Sequence, residues 1–306
     1  MSRYRPSAPA PREGISASCV VIPAGSWPTV LDFLAERFGF LGRAEWTRRM
    51  EAGNVLDALG RTLGCQAPAQ PGQRLYYYRQ VPAEQPIPFQ ASVLWENEHL
   101  LVVDKPHFLP VVPSGPYLHE TLLVRLKQST GIDSLSPIHR IDRDTAGLVL
   151  FAKQPADRAP YHALFRQRRV DKVYECIAPW KSDLPWPITR ATRLAGSAHF
   201  MQQTEVPGPV NAITQIEPLQ HRGLLARYRL RPLTGQRHQL RVHMAALGLP
   251  IWGDGIYPTL TPEGSTDFSR PLQLLAQELA FTDPLTGQRL HFVSQRSLAA
   301  LESLPA

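Results

Sequence analysis

Cysteine is scarce in this chain. The three residues Cys19, Cys65 and Cys176 are far apart and form no CxxC pair, which argues against both a disulfide framework and a cysteine zinc site and fits a reducing cytoplasm. Lysine is sparse as well. Only Lys105, Lys127, Lys153, Lys172 and Lys181 stand among the 33 basic residues; the rest are arginines, whose planar fork suits phosphates and stacking on bases. No stretch approaches the roughly 18 apolar residues of a membrane span, and the first 25 residues lack the apolar segment of a signal peptide. A soluble, cytoplasmic protein with no membrane partner is expected, and no internal repeat is found.

At about 150 residues per domain, 306 residues suggest two domains. The net charge of +7 favours a polyanionic partner. Residues 1–17, rich in Pro, Ser and Arg, are expected to form a flexible basic tail, and the Pro-rich stretch 81–88 a linker. Residues 18–80 then form a small domain and 89–306 a large one. The positive charge is denser at the start, with ten arginines against six acids in residues 1–80. In the small domain Leu31, Leu34, Ala35 and Phe38 repeat at helical spacing behind Pro28 and Thr29. A second helix is expected over residues 43–51, with Trp46 and Met50 inward, Arg43, Arg48 and Arg49 outward, and Gly53 as its stop. Short strands follow at Val55 and near residues 75–78.

Beyond residue 88 short apolar runs bounded by turn residues predict a sheet-rich α+β domain, with strands at 100–103, 148–152, 173–178, 212–216 and 224–231. Helices are expected at 157–168 and 237–247. The most informative stretch is HRIDRDTAGLVLFAK, residues 139–153. Polar residues crowd ahead of an apolar strand, so Asp142 sits on a loop fastened to a buried element, which suits a catalytic carboxylate but also a simple turn former.

With KVYECIA (172–178) and LTGQRHQLRVHMAALGLPIWGDGIY (233–257), this stretch resembles the RluA-type RNA pseudouridine synthases. The likeness extends to LWENEHLLVVDKP (94–106) and LLAQELAFTDPLTGQRLHF (274–292). It implies a mixed, mainly antiparallel sheet with flanking helices and a central active-site cleft. It also implies isomerisation of specific uridines in structured RNA, ribosomal or transfer, by a monomer that uses no cofactor and no metal. Asp142 matches the catalytic carboxylate, Tyr174 the tyrosine that packs on the uracil, and Arg241 the arginine paired with the carboxylate. Residues 18–80 resemble the RNA-binding module of ribosomal small-subunit protein four, which implies RNA contacts through Arg43, Arg48 and Arg49.

The chemistry suits these residue types. Moving the glycosidic bond from N1 to C5 of uracil is redox-neutral and needs one ionised carboxylate beside the sugar, either attacking C1′ or taking the 2′ proton. A guanidinium would keep that carboxylate charged. The target base must leave its stack, and Arg140 and Arg143 flank the loop to hold the backbone. Arg227, Arg229 and Arg231 alternate along one strand and offer either a further RNA face or a solvated sheet face. Tyr174 could equally face a core. Ile141, Ala146 and Gln236-Arg237 depart from the family pattern, and residues 179–209 match nothing in it. A metal site at His238 and His243 lacks a carboxylate partner. A glycosidase needs two carboxyl groups about 5 Å or more apart, and Asp142 and Asp144 are near neighbours. The rival that remains is a non-catalytic RNA-binding protein.

Overall fold

The computed structural model describes residues 9–81, 83–197, 199–261 and 267–304. The chain divides into two compact units: Met1–Glu84 with Ser114–His119 and Val124–Asp133, and Gln85–Pro113 with Glu120–Leu123 and Ser134–Ala306. Among the described residues no helix is long and apolar enough to cross a membrane.

In the first unit β1 (Ser18–Val21), α1 (Val30–Arg37), α2 (Gly42–Glu51), β2 (Val55–Leu56) and β3 (Arg74–Tyr77) follow in order, and the three strands pair as β1-β3-β2. Thr29 and Asp32 cap α1 reciprocally: the Thr29 hydroxyl accepts from the Asp32 amide and the Asp32 carboxylate accepts from the Thr29 amide. Val30, Leu31, Phe33 and Leu34 pack with Trp46 and Met50. The outward arginine face of α2 is only partly realised. Arg43 and Arg48 are exposed, but Arg49 has 5% of its side chain exposed, bonded to Glu45 at 2.6 Å and lying over the Trp46 ring. Its place one step from Met50 turns it inward, where Glu45 neutralises it.

The tail expectation also needs correction. Residues 1–8 lie outside the described residues, but 9–17 are tied down. Arg12 stacks 4.1 Å over Tyr78 and donates to Asn54, Tyr78 donates to the Ala10 carbonyl, and Ile15 is buried with Leu118 and Val124. The compact units do not follow a linear division at 81–88 either. The Glu84 carboxylate accepts from the Leu118 and His119 amides, which attaches 114–119 to the first unit.

Along the chain follow β4 (Ser92–Glu96), β5 (Leu100–Lys105), α3 (Leu122–Thr130), β6 (Ser136–Pro137), β7 (Ala146–Ala152), α4 (Arg158–Arg166), β8 (Asp171–Pro179), β9 (Ile188–Gly196), β10 (Gln203–Val206), β11 (Ala212–Arg222), β12 (Leu225–Pro232), α5 (Gln239–Ala246), β13 (Leu274–Thr282) and β14 (Arg289–Val293). The strands from β4 onward form one eleven-stranded sheet in the order β10-β9-β11-β12-β8-β13-β7-β5-β4, with β14 on β13 and β6 on β7. Its pairs are antiparallel except β7 with β13. Strands β5 and β7 are buried on both faces; β7 reads as one apolar run, and β5 as the run Leu100–Val103 closed by buried Asp104 and Lys105. The unmatched segment 179–209 supplies β9 and β10, part of the sheet itself.

One parallel pairing positions the site. Ala276 of β13 stands opposite Gly147 of β7 on one side and Tyr174 of β8 on the other. At Gly147 φ is +110°, and a Cβ there would overlap the Ala276 carbonyl oxygen, so only glycine lets β7 approach. The loop that precedes β7 therefore ends one strand away from Tyr174.

Candidate active site

Asp142 lies on the loop between β6 and β7, and that loop is held by its backbone. Lys105, at the end of β5 and fully buried, donates to the carbonyls of Pro106, Leu109 and Arg143 at 2.8–2.9 Å. These acceptors occupy all three N–H groups of an ammonium. Burial pulls the Lys105 pKa down to about 7, against the pull of Asp144 and Asp142. His107 Nδ1 donates to the Asp144 carbonyl at 2.7 Å, and the Thr145 amide donates to the Asp142 carbonyl.

The turn between β12 and α5 presents the partners. Gln239 fixes it: its amide oxygen accepts from the Thr234 hydroxyl and the Gln236 amide, and its amide nitrogen donates to Ile213 O and Thr214 Oγ1. In the first turn of α5, Arg241 has 2% of its side chain exposed and donates from Nη1 to Asp142 Oδ2 at 3.2 Å. Its other edge is locked in a fork on Asp254, at 2.8 Å from Nε and 2.6 Å from Nη2. Asp254, 1% exposed, also accepts from the Ile256 and Tyr257 amides. A guanidinium gripped this way cannot swing, so it offers Asp142 a fixed donor.

Tyr174, on β8, packs against the cluster of Cys176, Tyr228, Leu230 and Met244. Burial pushes its phenol well above the ordinary range and Asp142 adds to the rise, so the hydroxyl stays neutral and able to donate. Asp142 itself is 27% exposed on its side chain, partly open to solvent between these groups. The structure thus brings together Asp142, Arg241 and Tyr174.

The flanking arginines divide. Arg140 is exposed, whereas Arg143 donates to Asp144 at 2.8 Å. The alternating face of β12 is largely neutralised, because Arg229 and Arg231 both pair with Glu217 at 3.0 Å and Arg227 lies 3.7 Å from Glu175. Arg237 donates to the carbonyls of Phe200 and Met201. Sequence reasoning missed Lys105, His107, Asp254 and Tyr257 and weighed His238 only as a metal ligand; the run VVDKP, HQLR itself and the GDGIY following it were the signals.

Three histidines of this unit sit where neutral rings are needed. The His139 ring stacks on Phe165 at 4.5 Å and accepts from the Leu150 amide, and His243 lies between the hydroxyls of Thr214 and Thr192. Burial lowers His139 to about 3 and His107 and His243 to about 4. These pKa values lie below those of the unfolded chain, so stability is fully present above about pH 6.5 and is lost as pH falls toward 4. Each proton taken up only on unfolding is worth about 1.4 kcal/mol per pH unit. The melting temperature should fall steadily from pH 7 to pH 4.5 in a calorimetric series, and an unchanged or rising value would contradict this.

Fold and site together are a largely antiparallel sheet that presents a carboxylate paired with a buried arginine on the same side as a half-buried tyrosine. Residues 99–246 match the family profile described as RNA pseudouridylate synthase. An uncharacterized RNA pseudouridine synthase of Synechocystis sp. is 33% identical over 235 residues, spanning 74% of this chain and 79% of the relative. The dual-specificity RNA pseudouridine synthase RluA of Haemophilus influenzae is 32% identical over 211 residues, 66% of this chain and 91% of the relative. The solved structure of human RNA pseudouridylate synthase domain containing 1 shares the fold at a TM-score of 0.57 and 21% identity, covering 70% of this chain and 86% of that one. The chain belongs to the RNA pseudouridine synthase family, isomerases that convert uridine in RNA to pseudouridine. The non-catalytic rival is not favoured.

Proposed function

We propose that Asp142 is the catalytic carboxylate, that Arg241 orients and neutralises it, and that Tyr174 supports the uracil while its glycosidic bond is exchanged. The observation that carries this is the 3.2 Å pair between Asp142 and an Arg241 already locked on Asp254. The bond from C1′ to N1 breaks and one from C1′ to C5 forms; the C5 proton leaves and N1 gains one. Asp142 serves either by attacking C1′ or by taking the 2′ proton. The substrate is a structured ribosomal or transfer RNA whose uridine flips out of its stack, bound by a monomer and held in part by Arg140 and Arg143. Purified protein should release tritium from such RNA labelled at uridine C5 with nothing added; no release from either class would overturn the reading.

Residues 18–80 act as an RNA-binding module, a reading supported by two helices on a small sheet and by exposed Arg43 and Arg48. Each already pairs with an acid, Asp32 at 2.5 Å and Glu45 at 2.8 Å. Exposed pairs of this kind are weak, so a phosphate can displace either one. Replacing Arg43 and Arg48 together by alanine should flatten the salt dependence of RNA binding, by about 0.7–0.9 in logarithmic slope for each phosphate no longer neutralised. An unchanged slope would make the module structural.

A further inference from the structure

The two oxygens of Asp142 face different partners. Oδ2 receives Arg241, and Oδ1 lies 3.9 Å from His238 Nε2. The other ring nitrogen, Nδ1, is 3.0 Å from the Tyr257 hydroxyl, to which the Gln203 amide at the start of β10 donates at 2.7 Å. The phenol oxygen accepts from Gln203, which leaves its own proton available to Nδ1. An imidazole that accepts at Nδ1 carries its proton on Nε2, the nitrogen facing Asp142.

We propose that Gln203, Tyr257 and His238 form a positioning relay that fixes His238 as the neutral Nε2–H tautomer, turning an uncharged N–H toward the second oxygen of Asp142, 3.9 Å away. The inference rests on Asp142 being the catalytic carboxylate. His238 holds a left-handed backbone, φ +55°, immediately before α5, a conformation uncommon outside glycine and one that collects at functional sites. Burial lowers its pKa, with Arg241 and Arg237 adding to the drop and Asp142 and Asp254 opposing it. Tyr257 is buried, meets the imidazole edge-on at 5.7 Å, and is anchored through its amide to Asp254. The β10 end is held in turn by Gln202 donating to the Ile256 carbonyl and by Arg237 donating to Phe200 and Met201. The segment 179–209 thereby reaches the catalytic carboxylate through one backbone amide.

Nitrogen-15 spectra of histidine-labelled protein, with His238 assigned through the His238→Gln variant, should show the Nε2–H tautomer unchanged from pH 6 to pH 8. Tyr257→Phe removes the donor to Nδ1 and with it the support for the neutral ring, so His238 should titrate in that window. The imidazolium formed at the acid end then pairs tightly with Asp142. The variant should lose kcat about tenfold at pH 6, recover toward pH 8, and keep KM within about twofold. His238→Leu should lose about tenfold or more at every pH. His238→Gln, which carries a non-titrating N–H in the place of Nε2, should recover most of that loss. An Nδ1–H tautomer in the natural protein, a pH profile in Tyr257→Phe matching the natural one, or a Gln variant as impaired as the Leu variant would each overturn the relay. Asp142→Asn separates the two readings. Full turnover by it would remove the assignment of Asp142, while its inactivity beside unimpaired His238 and Tyr257 variants would remove the relay alone.

Discussion

Asp142→Asn is expected to abolish tritium release from C5-labelled RNA, lowering kcat by about a thousandfold or more, while RNA affinity stays within about threefold. The substitution keeps the size of the side chain and an oxygen for Arg241 to reach, but removes the charge that either chemical route requires. Affinity is spared because phosphate contacts supply most of it. Folding should be nearly unaffected as well. Asp142 is partly exposed, and its buried arginine keeps a full fork on Asp254, so the substitution leaves no buried charge without its counter-charge. The checks are single-turnover tritium release, RNA binding by filter retention, and a melting curve. A variant that turns over at the natural rate would remove Asp142 from the chemistry.

Strands β5 and β7 were legible because they are buried on both faces, and β11 and β12 because buried positions alternate with more open ones. The expected strands 100–103, 148–152, 173–178 and 212–216 each fall within an observed strand, and 224–231 overlaps β12 from its second residue on. The loop carrying Asp142 was legible because a polar cluster abuts an apolar run. By contrast β9 left no such signal. Its inward positions include Arg190 and Thr192, which are satisfied by Glu205 and, for Thr192, His243, so the usual apolar alternation never appears in the sequence. Helix α3 had no expectation attached to it, and the 157–168 helix begins with a short turn at Pro155–Asp157 before α4. The supporting shell of Asp142 was the least legible part. Lys105, His107 and Asp254 act on backbone carbonyls or on another side chain, and spacing in one chain does not report which carbonyl a buried lysine will meet. Arg49 shows the converse: a basic residue expected to face outward is buried beside Met50, where Glu45, one turn before it, neutralises it.

Arg241→Met is expected to be the most damaging single substitution in the catalytic unit, because Arg241 serves two carboxylates and the more deeply buried one is Asp254. Removing the guanidinium leaves Asp254 with the Ile256 and Tyr257 amides as donors but no counter-charge. An unpaired buried charge of this kind destabilises by about 3–5 kcal/mol, so a large fall in melting temperature should accompany the loss of turnover. Activity and stability can be separated by removing the second charge too. In Arg241→Met/Asp254→Leu neither buried charge remains, and well-packed apolar replacement of a buried pair is often neutral or better. The double variant should regain most of the lost melting temperature yet stay inactive, since nothing then orients Asp142 through Oδ2. A double variant that regains turnover along with stability would show that Arg241 maintains the fold and takes no part in presenting the carboxylate.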